Sequence, residues 1–495
     1  MRVIGLIFFL FCISDECYAG KYVYEYDTNC SKAYRYYLSL QADQGSAVLR
    51  TELSSKPNNL FTIYIKDYED CLSLLMNGDR REYERVKGHF DEEISALGKG
   101  DPNSPWYRVC QAGVNLHWAL IYFRFGDNTK AAFAFRRSYL QIKENEQIFP
   151  GFEYNKVFSG LGETLSGTIP DNYKWIASLF GLKGSVKKGS ELLSGFIKIH
   201  NSKDPLYAEA LIYYTYMRFY FLSEKEEAWT DLEKKRTAEG DKLMSVFIKA
   251  NIAVNYRKAD AALQVLNEVE AAKGYLQYPI LDFEKGSALL NKLDTNCLYY
   301  FQRFLKNYKG TAFIKDTWQM MALMYHIQGK AANAKYCKEY ILTHGARLTD
   351  ADKQAERFAE NSQWPDKMLL QVRLLIDGGY YTAALARLGQ VNENSFSIAA
   401  DKTEYLFRMG RVYEELKENK NALDYYQKAI NKGKYRPEHF AARAALQMAF
   451  IYEKTGMQQE ARNRYEEVLS MHNHDFQSSL DQQAKAGINR LHGVQ

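Results

Sequence analysis

Four short segments constrain this chain more than any bulk property: ALIYFRFGDNTKAAFAF (119–135), ALMYHIQGKAANA (322–334), GRVYEELKENKNALDYY (410–426) and AFIYEKTGMQQEARNRY (449–465). Each begins with Ala or Gly, has tyrosine three residues on, and has alanine nine residues after that tyrosine. The pairs are Tyr122 with Ala131, Tyr325 with Ala334, Tyr413 with Ala422 and Tyr452 with Ala461, and three of the four segments place glycine between the two. A small residue three before a tyrosine puts a groove and a knob on one face of a helix. Glycine then ends that helix, because a left-handed backbone costs it little. The alanine of the next helix lets two axes approach, and the aromatic four residues later (Phe135, Tyr426, Tyr465) fills the neighbouring gap on that face. The pattern predicts helical hairpins.

Weaker copies emerge if the small residue of the second helix is taken as the marker: Ala228, Ala262, Cys297, Ala334, Ala384, Ala422 and Ala461, in steps of 34, 35, 37, 50, 38 and 39 residues. This period resembles the tetratricopeptide repeat, with Trp318, Met321, Ala322, Tyr325 and Ala334 at the signature positions of one copy. Met409, Gly410, Tyr413, Ala422, Tyr426 and Ala429 occupy those of another, and IDGGYYTAALARL (376–388) supplies a third through Gly379 and Ala384. The expected fold class is all-α, an α-solenoid of such hairpins with an irregular Gly-rich helical insert.

Two stretches interrupt the repetition. HGARLTDADKQAERFAENSQWPDK (344–367) fills the longest step and reads as an extra polar helix ended by Pro365. The other contains PDNYKWIASLFGLKGSVKKGSELL (170–193), apolar, punctuated by glycine and edged with lysine. The expected divisions are a leader at 1–19, N-terminal hairpins at 20–144, the Gly-rich apolar insert at 145–204, the solenoid at 205–486 and a tail at 487–495.

The apolar stretch is not a phosphate loop. GETLSGTI (162–169) and GSVKKGSE (184–191) space two glycines five apart, but no lysine follows the second and no strand precedes either. Trp175, Ile176, Leu179 and Phe180 with Lys187 and Lys188 form a possible membrane contact, the residue set of an interfacial helix. As core, the same face would plug a bend between two stacks of hairpins. The segment from Gly151 to Leu193 also resembles the middle segment of the tetratricopeptide-repeat-thirty-nine and Iml-two-like family, with Pro170, Trp175, Gly181, Gly184 and Gly189 as the matching positions. That resemblance implies an all-helical repeat protein without catalytic residues, in a family linked to lipid storage.

MRVIGLIFFLFCISDECYAG reads as an export signal: Arg2, an apolar run from Val3 to Ile13, then the small-x-small pattern Cys17-Tyr18-Ala19. It directs the product to a periplasmic or extracellular location in a bacterial envelope, where the family's intracellular roles would not carry over. Removing it moves the formal charge from +5 to +6, with acids and bases interleaved throughout, so no concentrated basic face argues for nucleic acid. Cys30, Cys71, Cys110, Cys297 and Cys337 remain; one disulfide among the first three and buried free thiols both stay open.

No chemistry-bearing motif stands out. MHNHD (471–475) offers His472, His474 and Asp475, but two histidines two apart point to different sides of a helix, so a solvated turn is expected. His117 and His326 fall on repeat helices as packing or groove residues, and ALIYYTYMRFYFL (210–222), with Arg218 inside it, reads as a buried helix. The expectation is a non-enzymatic scaffold with no cofactor and no metal. It would present a concave groove to a protein or peptide partner through Phe407, Arg411 and Glu414 in one repeat and Arg443, Phe450 and Glu453 in the next. A membrane- or lipid-associated envelope component and an enzyme with dispersed catalytic residues are the rival readings; oligomeric state is not legible.

Overall fold

The computed structural model describes residues 22–168, 184–222, 224–234, 242–271 and 274–491. The chain divides into two compact units at boundaries after Leu72, Tyr83 and Met217, the second unit taking Ser73–Tyr83 together with Arg218–Gln495. β pairing among the described residues is an isolated bridge between Val23 and Asn59. No described helix is long and apolar enough to cross a membrane.

The first unit is built from α1 (Thr28–Leu38), α2 (Ala42–Ser55), the body of α3 (Phe61–Asn77), the end of α4 (Arg80–Val86), α5 (His89–Leu97), α6 (Pro105–Arg124), α7 (Asn128–Ile148), α8 (Asn155–Gly167), α9 (Val186–Ile199) and most of α10 (Tyr207–Tyr220). Asp27 caps α1 by accepting the Cys30 N–H at 2.9 Å. Leu40 then turns the chain with φ 60°, and Gly45 comes up against the Tyr37 ring, where a Cβ would lie 3.0 Å from its atoms. This is a helical hairpin with a leucine, not a glycine, at its left-handed turn.

Among its described residues the Gly-rich insert holds a tight helix pair, α8 against α9. A Cβ on Gly189 would stand 2.5 Å from the Gly160 carbonyl oxygen, and one on Gly167 would stand 3.1 Å from that of Gly184. These glycines let two backbones touch rather than breaking a helix. Trp175, Ile176, Leu179 and Phe180, with Pro170 and Gly181, lie outside the described residues. Of the flanking lysines, Lys187 is exposed, and Lys188 donates to the buried Glu163 carboxylate at 2.7 Å.

At the centre of this unit three helices meet through charge. His117 Nδ1 lies 2.5 Å from Asp67 Oδ2 and its Nε2 lies 3.4 Å from Glu209 Oε1. Asp67 also accepts from the Trp118 indole at 3.0 Å, and Glu209 accepts from Tyr64 at 2.9 Å, from Tyr213 at 2.5 Å and from Tyr68. Burial alone would pull the imidazole down, but Asp67 and then Glu209 outweigh it and hold it at about 10. Burial would likewise push Glu209 up, and the His117 bond with the tyrosine hydroxyls holds it below the usual carboxylate range instead. Glu93 goes the other way: burial, and then Asp67, push it up to about 10. Because Glu209 and Tyr213 join this cluster, α10 stays with the first unit through Met217. The expected domain boundary at 204 therefore falls too early.

The second unit runs through α11 (Lys225–Lys234), α12 (Lys242–Asn255), α13 (Ala259–Val269), α14 (Ile280–Asn291), α15 (Cys297–Asn307), α16 (Ile314–Ile327), α17 (Ala331–Thr343), α18 (Asp350–Glu360), α19 (Lys367–Gly378), α20 (Tyr381–Leu388), α21 (Ala399–Glu415), α22 (Asn419–Gly433), α23 (Phe440–Lys454), α24 (Gln458–Ser470) and α25 (Gln477–Leu491). It is an α-solenoid of paired helices. All seven marker positions, from Ala228 to Ala461, are at most 1% exposed. The residue five before the marker has a left-handed backbone in five of these hairpins: Arg257 (φ 60°), Gly329 (75°), Gly379 (87°), Lys417 (65°) and Gly456 (79°). In the longest step, α18 is the expected polar helix. It ends at Glu360, short of Pro365, and is fixed at its start by a capping box of Thr349 with Asp352. The same Asp352 carboxylate accepts the Phe313 N–H at 3.1 Å and so ties the added helix to the repeat before it.

All five described cysteines are free and buried, with burial pushing Cys30, Cys297 and Cys337 up to about 12. His117 is a packed residue of the first unit's centre. His326 packs as well, stacking on Trp364 at 4.7 Å and bonding the Pro365 carbonyl at 2.9 Å. His472 sits in an exposed turn.

Candidate binding groove

The first helices of successive C-terminal repeats, α19, α21 and α23, pack side by side, so residues recurring on them form one inner face. The sequence places six residues there, and the structure treats them differently.

Phe407 does not line the face. It is 2% exposed, packed 6.0 Å from the Tyr426 ring and 5.8 Å from that of Phe440. The next residue turns outward instead: the Arg408 guanidinium lies over Phe407 at 5.4 Å and over Phe440 at 5.9 Å, and bonds Glu404 at 3.0 and 2.8 Å. One residue is about 100° of helix rotation, enough to exchange core for surface.

Arg411 is 7% exposed and fully engaged, donating to Glu414 at 2.7 Å, to Glu415 at 2.7 Å and across to Gln447 of α23 at 2.9 Å. Glu414 also accepts from the Tyr426 hydroxyl, and Glu415 pairs with Arg257. Arg411 and Glu414 are thus struts between repeats rather than free contact residues. Glu453 has the same role one repeat on, accepting from Arg490 at 2.9 Å through both oxygens and from Tyr465; the Arg490 bonds hold it below the usual carboxylate range. Phe450 is half-buried against Tyr465, 6.0 Å between ring centroids.

Arg443 differs. It is half-buried, its Nε is sealed from solvent with no acceptor, and it forms no ion pair among the described residues. Burial, then Arg411, Arg408 and Arg257, pull its guanidinium down. Arg373 on α19 also lacks a bonded partner among the described residues, and burial, then Arg408, pull it down too. Beside them burial, then Arg443 and Arg408, hold His439 at about 3, so it is neutral at any ordinary pH. Sequence reasoning missed Arg373 and Arg408. Arg373 was findable, because it stands at the same distance before Ala384 as Arg411 does before Ala422.

Elsewhere, Asp27, Cys30 and Glu52 bring ligand atoms within 4.8 Å of one another, a metal-like grouping. Its donors are already used: Lys56 Nζ bonds Asp27 at 2.8 Å, and the Asn59 amide reaches Glu52 at 3.3 Å and Cys30 Sγ at 3.6 Å.

The tetratricopeptide repeat family matches residues 402–473, the stretch that forms α21 to α24. These are tetratricopeptide-type hairpins. The match does not extend to the segment from Gly151 to Leu193. No curated protein sequence matches the chain. Among solved structures, one of Naa15/Naa10 bound to HypK-THB aligns with 92% of this chain at 16% identity and a TM-score of 0.21. The chain spans 65% of that neighbour's length.

Proposed function

We propose that this chain is a non-enzymatic scaffold whose tetratricopeptide-type inner face, along α19, α21 and α23, holds a segment of a protein partner. The observation that carries this reading is the side-by-side packing of the first helices α19, α21 and α23, which brings residues recurring at the repeat interval onto one face. The repeat match over 402–473 supports a protein-interaction role in general terms. The leader-like pattern at 1–19 supports an exported, periplasmic or extracellular setting. The sequence pattern from Gly151 to Leu193, with Pro170, Gly184 and Gly189 among the matching positions, supports likening that segment to the tetratricopeptide-repeat-thirty-nine and Iml-two-like proteins. Crosslinked co-purification of the tagged full chain from its native envelope tests the reading. One or two stoichiometric proteins are expected, and recovery of lipid without a defined protein would contradict it.

A further inference from the structure

We infer that the second unit carries a separate site for a neutral oligosaccharide, in a polar groove formed by α13, α14 and α15. A cavity of 660 Å³ opens there, within the size range of ligand sites. Its floor is Leu263 of α13 and Leu289 of α14, and its walls carry Gln264 and Asn267 of α13, Asn296 at the start of α15 and Tyr299 within it. Asp260, Leu263, Gln264 and Asn267 fall on one stripe of α13 because helix neighbours recur every three or four residues.

The charges around this cavity are spent on one another. Lys292 pairs with Asp260 at 2.9 Å, and Lys285 pairs with Glu270 at 2.5 Å. The groups left over are neutral: the side-chain amides of Gln264, Asn267 and Asn296 are exposed and form no hydrogen bond among the described residues. An amide sets donors beside an acceptor, which matches two neighbouring hydroxyls that each donate and accept. Tyr299 supplies the other half of sugar recognition. Its ring is 55% exposed, yet its hydroxyl accepts from Arg303 at 3.3 Å, and Arg303 is itself fixed by Asp282 at 2.6 Å and Glu270 at 2.9 Å. A ring already held in place loses little freedom on stacking, and its electron-rich face attracts the C–H face of a pyranose.

Other ligand classes fit less well. A nucleic acid or a phosphate would need cations that this groove has already paired. A peptide is held by a strand edge or an apolar groove, and the groove offers neither among its described residues, since Leu263 and Leu289 are almost covered. The aromatic platform also recurs: Tyr299 and Tyr336 each stand two residues after a small marker, Cys297 and Ala334, and each ring is about half exposed. A ligand with a repeating ring, rather than a single sugar, is the class this arrangement suits.

The test is a saturation-transfer NMR titration of the full chain with maltohexaose, cellohexaose, xylohexaose and chitohexaose, with an oligoserine peptide as a hydroxyl-bearing control. At least one hexasaccharide should bind, and oligoserine should not. Tyr299→Ala combined with Asn267→Ala should weaken that binding by about tenfold or more, the scale of one lost ring contact and one lost hydrogen bond. Tyr299→Phe keeps the ring and should retain most of the affinity. Asp424→Ala with Asn463→Ala, exposed on the second helices of later repeats, should leave it unchanged. Binding by none of the four sugars overturns the inference, as does tighter binding of oligoserine or undiminished binding by the Tyr299 and Asn267 double variant. A loss on Tyr299→Phe as large as that of the double variant, or an equal loss in the Asp424 and Asn463 pair, overturns it as well. Should the double variant unfold, Gln264→Ala decides: weakened binding supports the site and unchanged binding overturns it.

Discussion

Gly410 and Tyr426 are in direct contact across their hairpin: a Cβ on Gly410 would stand 2.5 Å from Cδ1 of the tyrosine ring. Tyr426 is fully buried, so the ring has nowhere to retreat. Alanine in place of a helical glycine ordinarily stabilises, but here overpacking should win. Gly410→Ala is expected to lower the stability of the second unit by about 1–3 kcal/mol in urea unfolding. In contrast, Gly195 in α9 has nothing within 4 Å of its would-be Cβ, and alanine there should be neutral or mildly stabilising.

Lys417 occupies the turn position that glycine takes in the neighbouring repeat at Gly456, with φ 65° against 79°. It is exposed, and its side chain forms no bond among the described residues that would be lost. A left-handed backbone strains a residue with a Cβ, so Lys417→Gly should raise stability by about 1 kcal/mol. A fall in the unfolding midpoint would contradict the strain argument.

The His117 cluster sets a pH dependence for the first unit. Its folded imidazole, held at about 10 against an ordinary 6.5, contributes stability that is complete below pH 6.5 and is lost as pH rises through 10. Glu93, also held at about 10, adds loss of the same sign on the alkaline side. Glu209, held low, contributes stability that is present above its ordinary range and is lost on acidification. Thermal unfolding between pH 6.5 and 10 should therefore show falling stability. His117→Ala should flatten that slope while costing about 3–5 kcal/mol at neutral pH, because it leaves Asp67 and Glu209 buried without their cation. A variant with the wild-type slope would show that His117 is not the titrating group.

Arg411→Ala separates strut from contact. With bonds to Glu414, Glu415 and Gln447 removed, the second unit should lose about 1.5–3 kcal/mol, the range for charge-assisted hydrogen bonds. Differential scanning calorimetry at neutral pH measures it. An unchanged transition would mean that Arg411 is a free groove residue after all.

What could be read from the sequence came from local steric rules. The seven small markers fell on buried positions because close helix approach demands small residues at a fixed interval, and a left-handed turn five residues before the marker came with it in five of the hairpins. α1 and α2 form a hairpin without one of the seven small markers, and Leu40, not glycine, takes its left-handed turn. Groove assignment failed at Phe407 by one residue, since periodicity gives a face to within a turn and not to within the roughly 100° that separates it from Arg408. The Asp67–His117–Glu209 cluster was invisible for another reason. Its members lie 50 and 92 residues apart, and only the packing of three helices brings them together.

Site-specific photo-crosslinking from the full chain in its native cells tests the central claim most directly. Probes would replace Glu404 and Gln447 on the first helices of adjacent repeats, and Asp424 and Asn463 at exposed positions on the second helices. The account predicts that the two first-helix positions capture the same one or two proteins while the second-helix positions capture none of them. Capture that is equal from both sets, or confined to the second helices, would contradict it.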